Sequence, residues 1–138
     1  MIMDIEDALR LRLIEAGPVA AMLAAYETTK AVFWVLRPQG SSLPAIVLTT
    51  VSAPMDEHMQ GLQSLQFMRL QVDTYALSVI VAQQLRDAAI VALRPRYRGH
   101  DYYFRPASIL GRRDISEPGT NGPIYRTSTD LRVRYSPA

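Results

Sequence analysis

A chain of 138 residues has room for one core and not for two. Apolar residues make up 49% of it and charged residues 20%, a balance that excludes wholesale disorder and a coiled coil. With no cysteine there is no disulfide frame, no thiolate zinc site, no iron–sulfur ligation by its own thiols and no cysteine nucleophile. Fifteen bases against thirteen acids leave a net charge of only +2, which neither demands nor excludes a polyanionic partner. All the bases except Lys30 are arginine, the side chain suited to planar, bidentate contacts at interfaces or phosphates. The longest uncharged stretch, Pro38 to Met55, holds Gln39, Ser41, Ser42, Pro44, Thr49 and Thr50, too polar for the roughly 20 apolar residues of a membrane span. The opening MIMDIED has two acids and no basic region ahead of an apolar run, so a cytoplasmic start is expected and no membrane partner.

Asp4 stands where a helix N-cap belongs, and Ile5, Ala8, Leu9, Arg12, Leu13 and Ala16 follow at helical spacing. Gly17 and Pro18 stop that helix, and Pro18 opens a short second turn through Val19 to Ala25. Val32 to Leu36 reads as a strand closed by Arg37, Pro38, Gln39 and Gly40, and Pro44 to Ser52 as the next. Ala53 to Ser64 shows neither period and reads as a long, mobile hairpin loop. Gln66 to Tyr75 alternates, with Met68, Leu70, Val72 and Thr74 on one side and Arg69, Gln71 and Asp73 on the other.

Ser78 then begins a helix whose Val81, Ala82, Leu85, Ala88, Ala89 and Ala92 form a wide apolar stripe, ended by Pro95. Arg94 to Pro106 fits no element. Ala107 to Ile115 suits a strand, Glu117 to Pro123 is rich in turn formers, and Ile124 to Tyr135 alternates again. There Tyr125, Thr127, Thr129, Leu131, Val133 and Tyr135 oppose Arg126, Ser128, Asp130, Arg132 and Arg134. The fold class this predicts is α+β: one domain, a mostly antiparallel sheet with helices packed on one face. The polar set on the other face is expected to meet water or another subunit.

Little in the sequence speaks of catalysis. His58 and His100 each have acids beside them (Asp56 and Glu57, then Asp101), but a metal needs three or four converging ligands, and solvated loops are the expected setting. No serine lies in a G-x-S-x-G elbow, and Gly99, Gly111, Gly119 and Gly122 match no phosphate-binding loop. No enzyme activity and no cofactor are expected. Arg94, Arg96, Tyr97 and Arg98 open the segment RPRYRGHDYYFR, which interleaves the residue types that bind phosphates and stack on bases. The same types anchor protein interfaces, so a small nucleic-acid-binding module and an interface loop are both open for that segment.

Four pieces, taken in order, resemble the phage tail terminator family, the tail-completion proteins of long-tailed phages and of phage-derived particles such as gene transfer agents. They are the first helix running into LIEAGPVAAMLA, the strand LPAIVLTTVS, the strand and helix QFMRLQVDTYALSVIVAQQLRDAAIVAL, and the closing GPIYRTSTDLRVRY. The resemblance spans Ile5 to Tyr135. It implies a structural virion protein whose hexameric ring caps the tail tube, ends tube polymerisation and presents the head–tail joining surface. Implied partners are other copies of the chain, the tail tube protein, the head–tail connector protein, and DNA passing through the lumen without sequence-specific binding. The implied location is the head-proximal end of the virion tail, after a period in the host cytoplasm. On the same resemblance Arg69, Gln71, Asp73, Arg126, Asp130, Arg132 and Arg134 mark a subunit-interface or lumen face, and Met55, Asp56, Glu57, His58 and Met59 an inter-ring loop tip. Arg94 to Pro106 is more basic and aromatic than the family pattern, which leaves three roles open for the loop, with Arg94, Arg96, Tyr97 and Arg98 as its candidate contacts: the head connector, nucleic acid, or nothing. Another neck or minor tail protein is the nearest alternative.

Overall fold

In the computed structural model, which describes residues 2–52, 57–58, 61–62, 65–119 and 122–138, the first helix α1 spans Ile5–Glu15. Asp4 takes the N-cap position without a side-chain capping bond, and Glu6 and Asp7 complement the positive helix end. The buried face is Ala8, Leu9, Arg12 and Leu13, as the spacing predicts. The second helix α2 (Gly17–Ala20) is a single turn, shorter than expected. The chain leaves it to pair Ala25–Tyr26 (β1) with Thr29–Lys30 (β2) across a turn in which Glu27 takes a φ of 51°.

Strand β3 (Val32–Trp34) stops two residues early, because Val35 has a φ of 70° and cannot continue an extended strand. It runs parallel to β4 (Ala45–Ser52), while the other strand pairs are antiparallel. The segment expected to be wholly loop contains a short ladder, Glu57–His58 (β5) with Gly61–Leu62 (β6). Met55, Asp56 and Met59 of the expected loop tip lie outside the described residues.

Strand β7 (Gln66–Ala76) leads into α3 (Val79–Leu93), which ends at the C-cap Arg94, still helical in φ and ψ, because the next residue, Pro95, has no N–H to continue the ladder. The segment that fits no element in the sequence is a hairpin, β8 (Tyr97–Gly99) with β9 (Tyr102–Phe104). Its two-residue turn, His100 and Asp101, has φ of 53° and 71°, the paired left-handed conformation of a type I′ turn. The last two strands, β10 (Ser108–Gly119) and β11 (Gly122–Pro137), extend well into the stretch expected to be turn.

The main sheet orders its strands β3-β4-β7-β11-β9-β8, with β10 also on β11. Strands β9 and β10 lie end to end along the same side of β11: β9 pairs Pro137 to Tyr135 and β10 pairs Arg132 to Gly122. One core cluster joins Leu9 and Leu13 of α1, Val19 of α2 and Leu85, Ala89 and Leu93 of α3 to alternate residues of β4, β7 and β11. Each large aliphatic chain removed from water there contributes about 1.5–3 kcal/mol. The Thr74 hydroxyl bonds the carbonyl of Ala82 and the hydroxyl of Thr127, tying α3 to β7 and β11.

Arg12 is buried in this core without a carboxylate partner among the described residues. Its guanidinium lies 4.7 Å from the Tyr97 ring centre and 5.0 Å from that of Phe104, and Nη2 donates to the Pro95 carbonyl at 2.7 Å. Two π faces and one carbonyl replace the lost hydration only in part. Burial therefore lowers its pKa from the usual arginine range to about 10, with Tyr97 acting in the opposite direction.

Arg12→Met keeps the chain between the two rings and is expected to hold stability within about 1 kcal/mol of wild type. Arg12→Ala is expected to cost about 2–4 kcal/mol, and denaturant titration separates the two. As pH rises above about 10 the unfolded chain still holds a proton that folded Arg12 has released, so this residue makes stability rise with pH there. Tyr102 and Tyr135, raised above 10.0 first by burial, act oppositely: their contribution is present below pH 10.0 and lost as pH climbs through the folded values. Arg12→Met is thus expected to lose stability more steeply than wild type above pH 10.

Candidate functional site

Directly opposite residues of antiparallel strands share a sheet face. Register therefore gathers Arg69, Gln71 and Asp73 of β7 with Arg126, Ser128, Asp130, Arg132 and Arg134 of β11, the set predicted to oppose the core, and adds Phe67 and Tyr75 of β7 to the same face. The two carboxylates on this face are not at its surface. Asp73 is 2% exposed and Asp130 is 6% exposed.

Arg126 Nη2 donates to Asp73 Oδ2 at 2.6 Å, and the Gln71 amide donates to both oxygens of the same carboxylate. Arg69 Nη2 donates to Asp130 Oδ2 at 2.7 Å. The Tyr75 ring centre is 5.5 Å from the Arg37 guanidinium and 5.4 Å from that of Arg126, and Arg132 stacks 4.7 Å over Phe67. On β7 and β11 the face carries four arginines and two aspartates, with the acids beneath and the bases outermost. Seen from solvent it is a guanidinium surface.

The segment from Arg94 to Arg105 is assembled differently from a base-stacking patch. Tyr97 and Phe104 are occupied by Arg12, and the Tyr102 hydroxyl donates to the Met3 carbonyl at 2.6 Å while its ring meets Tyr135 edge-on. Arg94 reaches back to the Ala107 carbonyl, and Arg96 and Arg98 are exposed. His100 is not a solvated loop histidine: its Nε2 lies 2.7 Å from Glu15 Oε1. Asp101, its neighbour, accepts from the Met3 amide through its side chain and from the Ala138 amide through its carbonyl. Glu57 and His58 fall in the β5–β6 ladder. Among the described residues no cluster of three or more His, Asp or Glu has the arrangement of a metal site.

Sequence reasoning missed three surface features. The first is the turn after β3, where the Leu36 amide bonds the Trp34 carbonyl across Val35. That is a γ-turn with a β-branched residue in the left-handed region, a rare and strained arrangement. It displays Val35 and Leu36, 64% and 77% exposed, beside an open groove of about 580 Å³ whose wall includes Asp4, Glu6, Asp7 and Trp34.

The second is a groove of about 310 Å³ between α2 and α3, lined by Ala16, Pro18, Val19, Ala88, Val91 and Ala92 with Asp87 as the one charged wall residue. The third is β10. Ser108 to Asp114 are all exposed, and the strand's outer edge has no partner among the described residues. Leu110 is skipped in the pairing with β11, so a bulge sets it out of register beside Ile109. Only Gly111 hints at this in the sequence, as a strand glycine that often accompanies a bulge.

No family model matches the chain. No curated protein matches it either. Solved structures do share its fold end to end. One is a chain in the virion of a native gene transfer agent particle, with a TM-score of 0.61 and 18% identity over 96% of this chain and 94% of that one. Another has a TM-score of 0.52 and 12% identity over 96% of this chain and 95% of its own. At such identities what is shared is the fold.

Two substitution pairs test this description. Arg126→Ala leaves Asp73 buried with its charge uncompensated on one side and is expected to cost about 2–4 kcal/mol, whereas Arg132→Glu on the same strand, being exposed, stays within about 1 kcal/mol. Thermal unfolding of the two variants decides it. Val35→Gly removes the Cβ that the left-handed turn opposes and is expected to raise stability by about 1 kcal/mol, with Val35→Ala giving no such gain.

Proposed function

We propose that this chain is a structural virion protein, a tail terminator whose copies close into a hexameric ring on the end of a tail tube. The observation that carries the reading is the likeness of fold, over 96% of the chain, to a chain of a gene transfer agent virion. The order of elements from Ile5 to Tyr135 that resembles the terminator family supports it independently.

In this reading the ring ends tube polymerisation and offers its opposite surface to the head connector. A ring requires a head-to-tail interface, in which one patch of each copy meets a different patch of the next. The two exposed apolar features beside α3 supply patches of that kind. The guanidinium surface of β7 and β11 suits the lumen, because arginines held outward over buried carboxylates attract phosphates without reading sequence. The protein acts in the tail after assembly from the host cytoplasm, and its work is geometric and not catalytic.

The test is molar mass by light scattering across a concentration series, with negative-stain images of what elutes. A particle near six times the 15.5 kDa chain mass with a central hole is the expected result. If the free protein is a monomer, the same preparation is mixed with purified tail tubes of its own particle, and ring-shaped caps on tube ends are expected. Failure both to assemble and to cap tubes overturns the reading.

A further inference from the structure

We propose that successive copies of this chain are joined by insertion of the Ile109–Leu110 bulge of one copy into the α2–α3 groove of the next. The inference rests on the ring reading and names the contact that closes it.

The two features have the complementarity that such a joint needs. The groove is walled by small and branched apolar side chains, with Val91 at 70% exposure on one lip. The bulge presents Ile109 and Leu110, 39% and 50% exposed on an edge strand that nothing else among the described residues covers. Charge matches as well. Asp87 stands in the groove wall and Glu15 adjoins its lining residue Ala16; both are exposed, each with one contact inside its own copy, Asp87 to Arg86 at 3.0 Å and Glu15 to His100 at 2.7 Å. Arg112, on the same sheet face as Ile109 by register, is exposed and in no ion pair with a described residue. An arginine beside an apolar knob and acids beside an apolar groove favour this register of docking over knob against knob or groove against groove.

Placement makes the contact head-to-tail. Arg86 Nη1 faces β10, 3.8 Å from Asp114, which puts β10 on one flank of α3. Ala88 and Ala92 line the groove. At about 100° per residue, Ala88 stands about 200° round the helix from Arg86, so the groove opens on the other flank. A molecule with its knob on one flank and its groove on the other can engage a different neighbour through each, as a head-to-tail joint requires. A two-fold dimer that closed both joints at once would instead give a covalent dimer and no ladder from Leu110→Cys/Val91→Cys. The head-to-tail joint passes from copy to copy until the rotation closes.

The absence of cysteine gives a clean background for cross-linking. Cysteine is introduced at Leu110 alone, at Val91 alone, and at both, and each variant is oxidised at a concentration where light scattering shows assembly, or on tube ends if assembly needs them. The expected result is a covalent ladder from Leu110→Cys/Val91→Cys and no covalent species from either single variant. In parallel, Leu110→Asp and Val91→Asp are each expected to raise the half-assembly concentration at least tenfold, yet to form a heterodimer when mixed, since each retains one intact half of the joint. Circular dichroism confirms that both exposed substitutions leave the fold intact.

A covalent dimer from Leu110→Cys alone means the strand edges meet symmetrically and overturns the proposal. So does a ladder from Leu36→Cys/Val91→Cys in place of the expected one, which would assign the groove to the strained turn after β3. Assembly with no cross-link places the joint elsewhere while the ring reading stands. Absence of any assembly, free or on tubes, removes both.

Discussion

Strand β11 is the constraint on which the other elements depend. Its sixteen residues pair with β7 along one side and with β10 and then β9 along the other, so one stretch of backbone fixes the register of three strands. A slip of one residue would turn Leu131 and Val133 out of the core and bring Arg132 in, an exchange of favourable burial for an unpaired buried charge. The alternation of apolar and charged residues from Ile124 to Tyr135 excludes that slip. Helix α3 adds a second lock, since the Thr74 and Thr127 hydroxyls bond each other and Thr74 reaches the helix carbonyl at Ala82.

With register fixed, the polar face follows. Asp73 and Asp130 cannot turn away from their side of the sheet, and neighbouring strands bury them. Each is tolerable only because an arginine from the facing strand closes over it, Arg126 from β11 over Asp73 and Arg69 from β7 over Asp130. The pairs therefore cross the β7–β11 junction in opposite senses. Their outer surface is positive although the strands carry both signs, because the acids lie in the inner layer.

These relations mark how far the sequence could be read. The elements with a strong period, Ile5 to Glu15, Gln66 to Ala76, Val79 to Leu93 and Ile124 to Tyr135, are legible because a single buried face imposes that period. The β8–β9 hairpin is not, since its turn uses His100 and Asp101 in the left-handed region where Asn-Gly is the usual signal. Nor is the length of β10: an edge strand whose residues Ser108 to Asp114 are exposed on both faces has no burial there to pattern it. The polar positions of β7 and β11 were visible as a set. Which of them lie beneath the others was not, since alternation gives the face a residue points to and says nothing of the depth at which a partner from the next strand covers it.

The same reasoning bears on β10 as a feature of the folded chain. A twelve-residue edge strand with exposed Ile109 and Leu110 invites unwanted pairing, and proteins commonly blunt such edges with lysine, proline or inward charge. This edge has no lysine and reaches a proline only at Pro118. Its defence is the bulge at Leu110, which breaks the straight ladder a foreign strand would need while leaving the apolar pair on display. An edge treated in that way resists strand addition and still offers a side-chain contact. The α2–α3 groove is the converse: apolar, shallow and lined by alanines that leave space a branched side chain fills. Neither feature improves the isolated fold, since each leaves apolar surface in water. Both acquire a physical reason if the native environment of each copy is another copy, with the bulge of one removing from water the groove of the next.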